Sequence, residues 1–290
     1  MSEMNKAPEA ESMTKSPPKR DVPRTVAMIV TLLGVAVLLY FEVAKPVLSA
    51  DKTLQNLYTM TATRGVGAVV FFAILISLGY KVLNPIRKPF GKALLFCIPA
   101  ALVVVNNMPI LSMIWGDAYF VHGEPWYILW FALECLAIGL FEEAAFRGVA
   151  LLLIAEKRRA TKKGLFMSII LSSAVFGVIH LANILAGSSP GAVLLQIGYS
   201  FLIGAMCSVV LFKTGNLWLC VILHAVYDFS GNLMPTLGAG HWWDTPTVIF
   251  TVILALFTIA FYVIAFIRMD PRETERLYPS NTQTNTQNPT

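Results

Sequence analysis

An apolar stretch of the chain is interrupted by Glu142, Glu143 and Arg147, in the order Leu140-Phe141-Glu142-Glu143-Ala144-Ala145-Phe146-Arg147-Gly148. Two later apolar stretches carry Phe176-Gly177-Val178-Ile179-His180 and His224-Ala225-Val226-Tyr227-Asp228. A carboxylate beside an imidazole is what water activation needs: the carboxylate takes a proton from water, and the imidazole bonds the attacked carbonyl or the leaving amine. On a helix, Glu143 and Arg147 stand at i,i+4 with the acid first, the favourable order for a local ion pair. Glu142 then points about 100° away and stays available for chemistry. His224 and Asp228 share a face at the same spacing, which orients an imidazole, holds a metal, or makes a plain structural hydrogen bond. His180, taken alone, reads as a buried, hydrogen-bonded histidine. A purely structural ion-pair cluster competes for the first motif, and the second glutamate, left without a local partner, argues against it.

The elements that carry these residues must lie in a membrane. Of the 290 residues 56% are hydrophobic and only 13% charged, and the mean hydropathy is +0.66. A soluble surface of this size would need about twice that share of charge. Several stretches reach the roughly 20 apolar residues of a bilayer crossing. A charge at the centre of such a crossing costs about 2.5–3.5 kcal/mol, so Glu142, Glu143 and Arg147 must face other helices and find partners there.

The expected fold class is all-α, a polytopic transmembrane helix bundle. Eight spanning segments are expected, near 25–44, 65–82, 92–108, 126–154, 165–186, 192–212, 217–234 and 247–268. The first follows a long hydrophilic tail and lacks a good cleavage site, so it reads as an uncleaved helix rather than a signal peptide. Polar residues 1–23 and 271–290 read as disordered tails on either side of a helical domain at 24–270. With both termini in the cytoplasm, only Lys45, Lys52, Arg64 and Arg147 of the 22 basic residues fall outside the cytoplasmic tails and loops. That asymmetry follows the positive-inside rule, and Trp115, Trp126, Trp242 and Trp243 mark the outer interface. The net charge of +5 therefore reads as a topology signal and not as a nucleic-acid surface. Cys97, Cys135, Cys207 and Cys220 form no CxxC pair and suggest neither a disulfide framework nor a thiolate metal site.

Glu-Glu-x-x-x-Arg, then Phe-x-x-x-His, then His-x-x-x-Asp on successive membrane helices resembles the CPBP intramembrane protease family. That family includes the CAAX prenyl protease 2 enzymes and bacterial bacteriocin-processing and immunity relatives. The resemblance covers about 126–233. It implies an intramembrane endopeptidase, a hydrolase acting on a membrane-associated or lipidated protein or peptide, in a multi-pass protein of the bacterial cell (inner) membrane. It further implies that Glu142 is the catalytic carboxylate working with His180, and that His224 and Asp228 are the second half of the site as oxyanion donors or metal ligands. Glu143 and Arg147 would support them. The family has been described both as a metalloprotease and as a metal-free glutamate protease. If a divalent metal such as zinc takes part, its expected ligands come from Glu142, His180, His224 and Asp228. The prenyl-protease branch carries Asn where this chain has Asp228. An ionised Asp cannot donate to an oxyanion, which points away from the CAAX-specific branch and toward a metal-assisted variant. The competing classes are a proton-coupled transporter and a non-catalytic scaffold or immunity protein of the same fold.

Overall fold

The computed structural model describes residues 22–84, 90–185 and 187–279. The described residues are helical almost throughout. Helices α1 (Val22–Ala44), α2 (Lys52–Leu78), α3 (Phe90–Asn106) and the short α4 (Ile110–Trp115) come first. Then α5 (Pro125–Glu143) runs through a π-helical turn, Ala144–Leu151, into α6 (Leu152–Glu156). Next, α7 (Lys162–Val178) passes through a 3-10 turn, Ile179–Leu181, into α8 (Ala182–Leu185). Helices α9 (Pro190–Thr214), α10 (Leu217–Leu237) and α11 (Thr245–Ile267) complete the bundle. Among the described residues the only strands are β1 (Ala118–Phe120) and β2 (Gly238–Gly240), an antiparallel ribbon with Tyr119 opposite Ala239.

Among the described residues, six stretches are long and apolar enough to cross a membrane: Lys52–Leu78, Phe90–Trp115, Lys162–Leu185, Pro190–Thr214, Leu217–Leu237 and Thr245–Ile267. The other two expected spans are also helical, as α1 and the π-interrupted helix at 125–156. The second span differs from the sequence expectation. Its helix begins at Lys52, because Asp51 caps it by accepting the Leu54 backbone N–H at 2.8 Å. Arg64, expected in an outer loop, therefore lies well inside α2.

In lipid every backbone polar group needs a partner within the protein, so helix ends require caps. Thr161 accepts from the Gly164 N–H at 3.0 Å, Asn216 from Leu219 at 3.2 Å and Asp244 from Thr247 at 2.7 Å. Burial pushes the Asp244 carboxyl up, but hydrogen bonds from the backbone and hydroxyl of Thr247 and from the Ser112 hydroxyl outweigh it. The net position is below the ordinary value of 3.8. A carboxyl held low in the folded state stabilises fully above its unfolded pKa and loses that contribution as pH falls through the folded one. Thermal stability in detergent is expected to fall as pH drops below about 4. Asp244→Asn should flatten that acid limb, and an unchanged limb in the variant would remove Asp244 from the account.

The loops segregate to two ends. At one end, β1–β2, the Thr53–His122 contact at 3.4 Å and the Ser112–Asp244 bond at 2.9 Å join residues assigned above to the outer side. At the other end meet the loops expected in the cytoplasm. There 271–277, expected as part of a disordered tail, forms a 3-10 turn capped by Asp270 and Glu273. Lys81 N–H donates to the Leu277 carbonyl at 2.8 Å, and the Tyr278 hydroxyl donates to that of Leu152 at 3.2 Å. Arg159 pairs with Glu275 at 3.0 Å and Lys213 with Glu273 at 2.9 Å. Leu277 is fully buried and Tyr278 nearly so, which gives this short segment an apolar anchor that its polar composition hides. Of the tails expected at 1–23 and 271–290, Val22 and Pro23 open α1, and residues 1–21 and 280–290 lie outside the described residues.

The core is centred on α5 and its π-helical continuation, which pack against α2, α7, α9 and α10. Close crossings make this possible. A side chain at Gly139 would bring its Cβ to 2.9 Å from the Val221 carbonyl of α10, so only glycine permits that approach. Gly177 plays the same part between α7 and α9, where a Cβ would sit 2.9 Å from the Ile197 carbonyl.

Candidate active site

Glu142 and Glu143 end α5, and Arg147 lies in the π-helical turn. The widened turn leaves backbone groups to be satisfied elsewhere, and the Ser172 hydroxyl of α7 donates to the Phe146 carbonyl at 3.1 Å. Glu143 is fully buried and Arg147 only 1% exposed; Arg147 Nη1 stands 3.0 Å from Glu143 Oε1. The ion pair foreseen from i,i+4 spacing is thus present, although the contact lacks the alignment of a hydrogen bond. The guanidinium also lies over the Phe176 ring, 4.2 Å from its centre, a cation–π contact that offsets part of its desolvation.

The α5–α10 crossing brings His224 onto this pair. Its Nδ1 donates to Glu143 Oε1 at 2.7 Å, which fixes the tautomer and turns Nε2 outward. Nε2 lies 3.5 Å from Glu142 Oε2 and 3.5 Å from Asp228 Oδ2. Orienting His224 is one of the roles that i,i+4 spacing leaves open to Asp228; Glu143 holds the tighter contact, and Asp228 faces the opposite nitrogen. Burial is graded across the cluster. Glu143 and Arg147 are sealed, whereas the Glu142 and Asp228 side chains keep 14% and 16% exposure. One half is therefore a rigid support and the other half is within reach of water.

His180 sits in the 3-10 turn that ends α7. Its Nδ1 donates to the Phe176 carbonyl at 2.8 Å, leaving Nε2 free. Phe176 separates the two imidazoles, with ring centroids 5.2 Å from His180 and 5.9 Å from His224. Glu142, Glu143, Arg147, His224 and Asp228 are thus in one connected cluster, with His180 next to it across Phe176 and in no ion-pair contact with Glu142.

Two ionisable residues near the cluster escaped the sequence reading. Glu134 lies on α5 about two turns before Glu142 and interacts electrostatically with both Asp228 and Arg64. Arg64 itself reaches over the Phe141 ring, 5.4 Å from its centre. Glu134 stands in the same span as Glu142, so its acidity at a membrane position was the available signal. Tyr199 and Tyr227, with ring centroids 5.8 Å apart, flank Asp228.

Of the expected metal ligands, Glu142, His224 and Asp228 share one cluster, and His180 lies next to it across Phe176. Among the described residues, the one group of three His, Cys, Asp or Glu side chains whose donor atoms all lie within 4.8 Å of one another is Glu143, Cys207 and Cys220. Glu142, His180, His224 and Asp228 do not form such a group. The two cysteines, which no local motif pairs, are brought together by α9 and α10.

Helices long and apolar enough for a membrane, with carboxylates, a guanidinium and imidazoles gathered between them, define a polytopic membrane protein built around a buried polar site. Residues 124–230 match the family model of the type II CAAX prenyl endopeptidase Rce1-like proteins, in agreement with the resemblance carried by the three motifs. Neither a curated protein nor a solved structure matches the chain.

Proposed function

We propose that the protein is an intramembrane endopeptidase that hydrolyses a peptide bond in a prenylated, CAAX-type protein or peptide, with Glu142 as the base that activates water. The observation that carries this reading is the two-sided environment of His224. Glu143 fixes Nδ1, and Nε2 faces two carboxylates at 3.5 Å each that keep 14% and 16% exposure, so one imidazole nitrogen and both candidate bases lie within reach of water. Glu142 takes a proton from the attacking water, and hydroxide adds to the scissile carbonyl. His224, protonated and held by Glu143, donates Nε2–H to the developing oxyanion, the role that an ionised Asp228 cannot fill. Asp228 then keeps the imidazolium in place, and Glu142 returns its proton to the leaving amine. His180, with Nε2 free beside Phe176, assists at the same carbonyl or at the leaving group.

A transporter or a non-catalytic scaffold would also bury charge, but the match to an endopeptidase family favours hydrolysis. The test is a cleavage assay with the purified protein in liposomes, using a farnesylated peptide with a CAAX C-terminus and its unprenylated counterpart, read by mass spectrometry. A single cut in the prenylated peptide is expected, with much slower cutting of the unprenylated one and loss of cutting in His180→Ala. Absence of any cut in either peptide would overturn the proposal.

A further inference from the structure

Beneath His224, on the side away from Glu142, lies a set of groups that hydrolysis does not use. Cys207 of α9 and Cys220 of α10 are fully buried, and each sulfur lies within 4.8 Å of the other and of a carboxylate oxygen of Glu143. Cys220 Sγ–H donates to the Cys207 carbonyl at 3.3 Å. Buried free thiols alone are ordinary small apolar side chains. The glutamate makes this place different. Its Oε1 carries both His224 and Arg147, while Oε2 is buried with no hydrogen-bond partner. A buried carboxylate oxygen left unpaired is costlier than an unpaired neutral group.

We infer that Glu143, Cys207 and Cys220 form a binding site for one thiophilic divalent cation of the zinc class. Two sulfurs and a carboxylate oxygen are ligands that such ions accept, and soft thiolates select them over magnesium or calcium. The charge balance suits a membrane interior. The cation enters, two thiols become thiolates, and two protons leave to solvent, so the net charge of the cluster with Arg147 and Glu143 is unchanged. The ion would tie α5, α9 and α10 together at Glu143 and so hold the carboxylate that holds His224. This site is distinct from the set Glu142, His180, His224 and Asp228, and it stands independently of the hydrolytic reading.

The test uses the full chain, purified with reductant, stripped with chelator and titrated with Co2+ alone. About one Co2+ per chain is expected, with thiolate-to-cobalt charge-transfer absorption. Cys207→Ser and Cys220→Ser should each abolish that absorption, while Glu142→Gln and Asp228→Asn retain it. X-ray absorption on the zinc-loaded wild-type protein reads the ligands without any variant, and two sulfur neighbours at about 2.3 Å are expected. A wild-type protein without the charge-transfer band, or a zinc ion with only nitrogen and oxygen neighbours, would overturn the inference.

Discussion

Replacing Glu142 with glutamine is expected to lower peptide cleavage by about 10²–10⁴-fold, the usual contribution of a positioned general base. The amide has nearly the same shape and can still approach His224 Nε2, now 3.5 Å from Glu142 Oε2. What it lacks is the capacity to take a proton from water. Because the side chain is partly exposed, folding should be little affected, and the thermal midpoint in detergent should stay within the range of ordinary surface substitutions, about 0.5 kcal/mol. Turnover of the prenylated peptide measures the first effect and thermal unfolding the second. Wild-type turnover in Glu142→Gln would move the base to Asp228, the other carboxylate facing the same nitrogen.

The second large effect concerns stability. Arg147→Met keeps much of the side-chain volume and removes the charge, so Glu143 is left ionised, fully buried and held only by His224. Breaking a buried ion pair by removing one partner costs about 3–5 kcal/mol. The variant also loses the cation–π contact with Phe176, whose ring centre lies 4.2 Å from the guanidinium carbon. A large fall in the thermal midpoint is therefore expected, with cleavage falling as His224 loses its fixed support. A midpoint equal to wild type would mean that Glu143 carries no charge in need of Arg147, and the assignment of that pair as structural support would fail.

The local parts of this site were legible in the sequence. Glu143 and Arg147 meet because they are i,i+4 on one helical path, and Glu142 is free of that pair because it is one residue removed. Spacing along a single helix contains both facts. It does not contain the crossing of α5 with α10, so the contact between Glu143 and His224 could not be read, nor the meeting of Glu143 with Cys207 and Cys220. Those depend on glycine at 139 and on where two helices approach, which are tertiary facts. The segment before Arg64 was misread because Thr59, Thr61 and Thr63 make it polar enough to pass for a loop. Within the bundle, Thr63 returns its hydroxyl to the Thr59 carbonyl at 2.8 Å, and the helix continues. The turn at 271–277 was missed for a related reason: its anchors are only Thr274, Leu277 and the following Tyr278, too few to register as an apolar pattern.

The π-helical turn also sets how the fourth span is divided. Ala144–Leu151 winds wider than the α-helical segments on either side, so Pro125–Glu143 and Leu152–Glu156 are rotated out of phase with each other. A single unbroken helix would show its neighbours one continuous stripe, and the faces that serve Glu142 and those that pack Leu151 and Leu152 would have to share it. The phase break separates the two requirements. The half that ends in Glu142 and Glu143 can be aimed at α10, while Leu151, Leu152 and Ala155, all fully buried, are aimed independently at the core near the other end of the bundle.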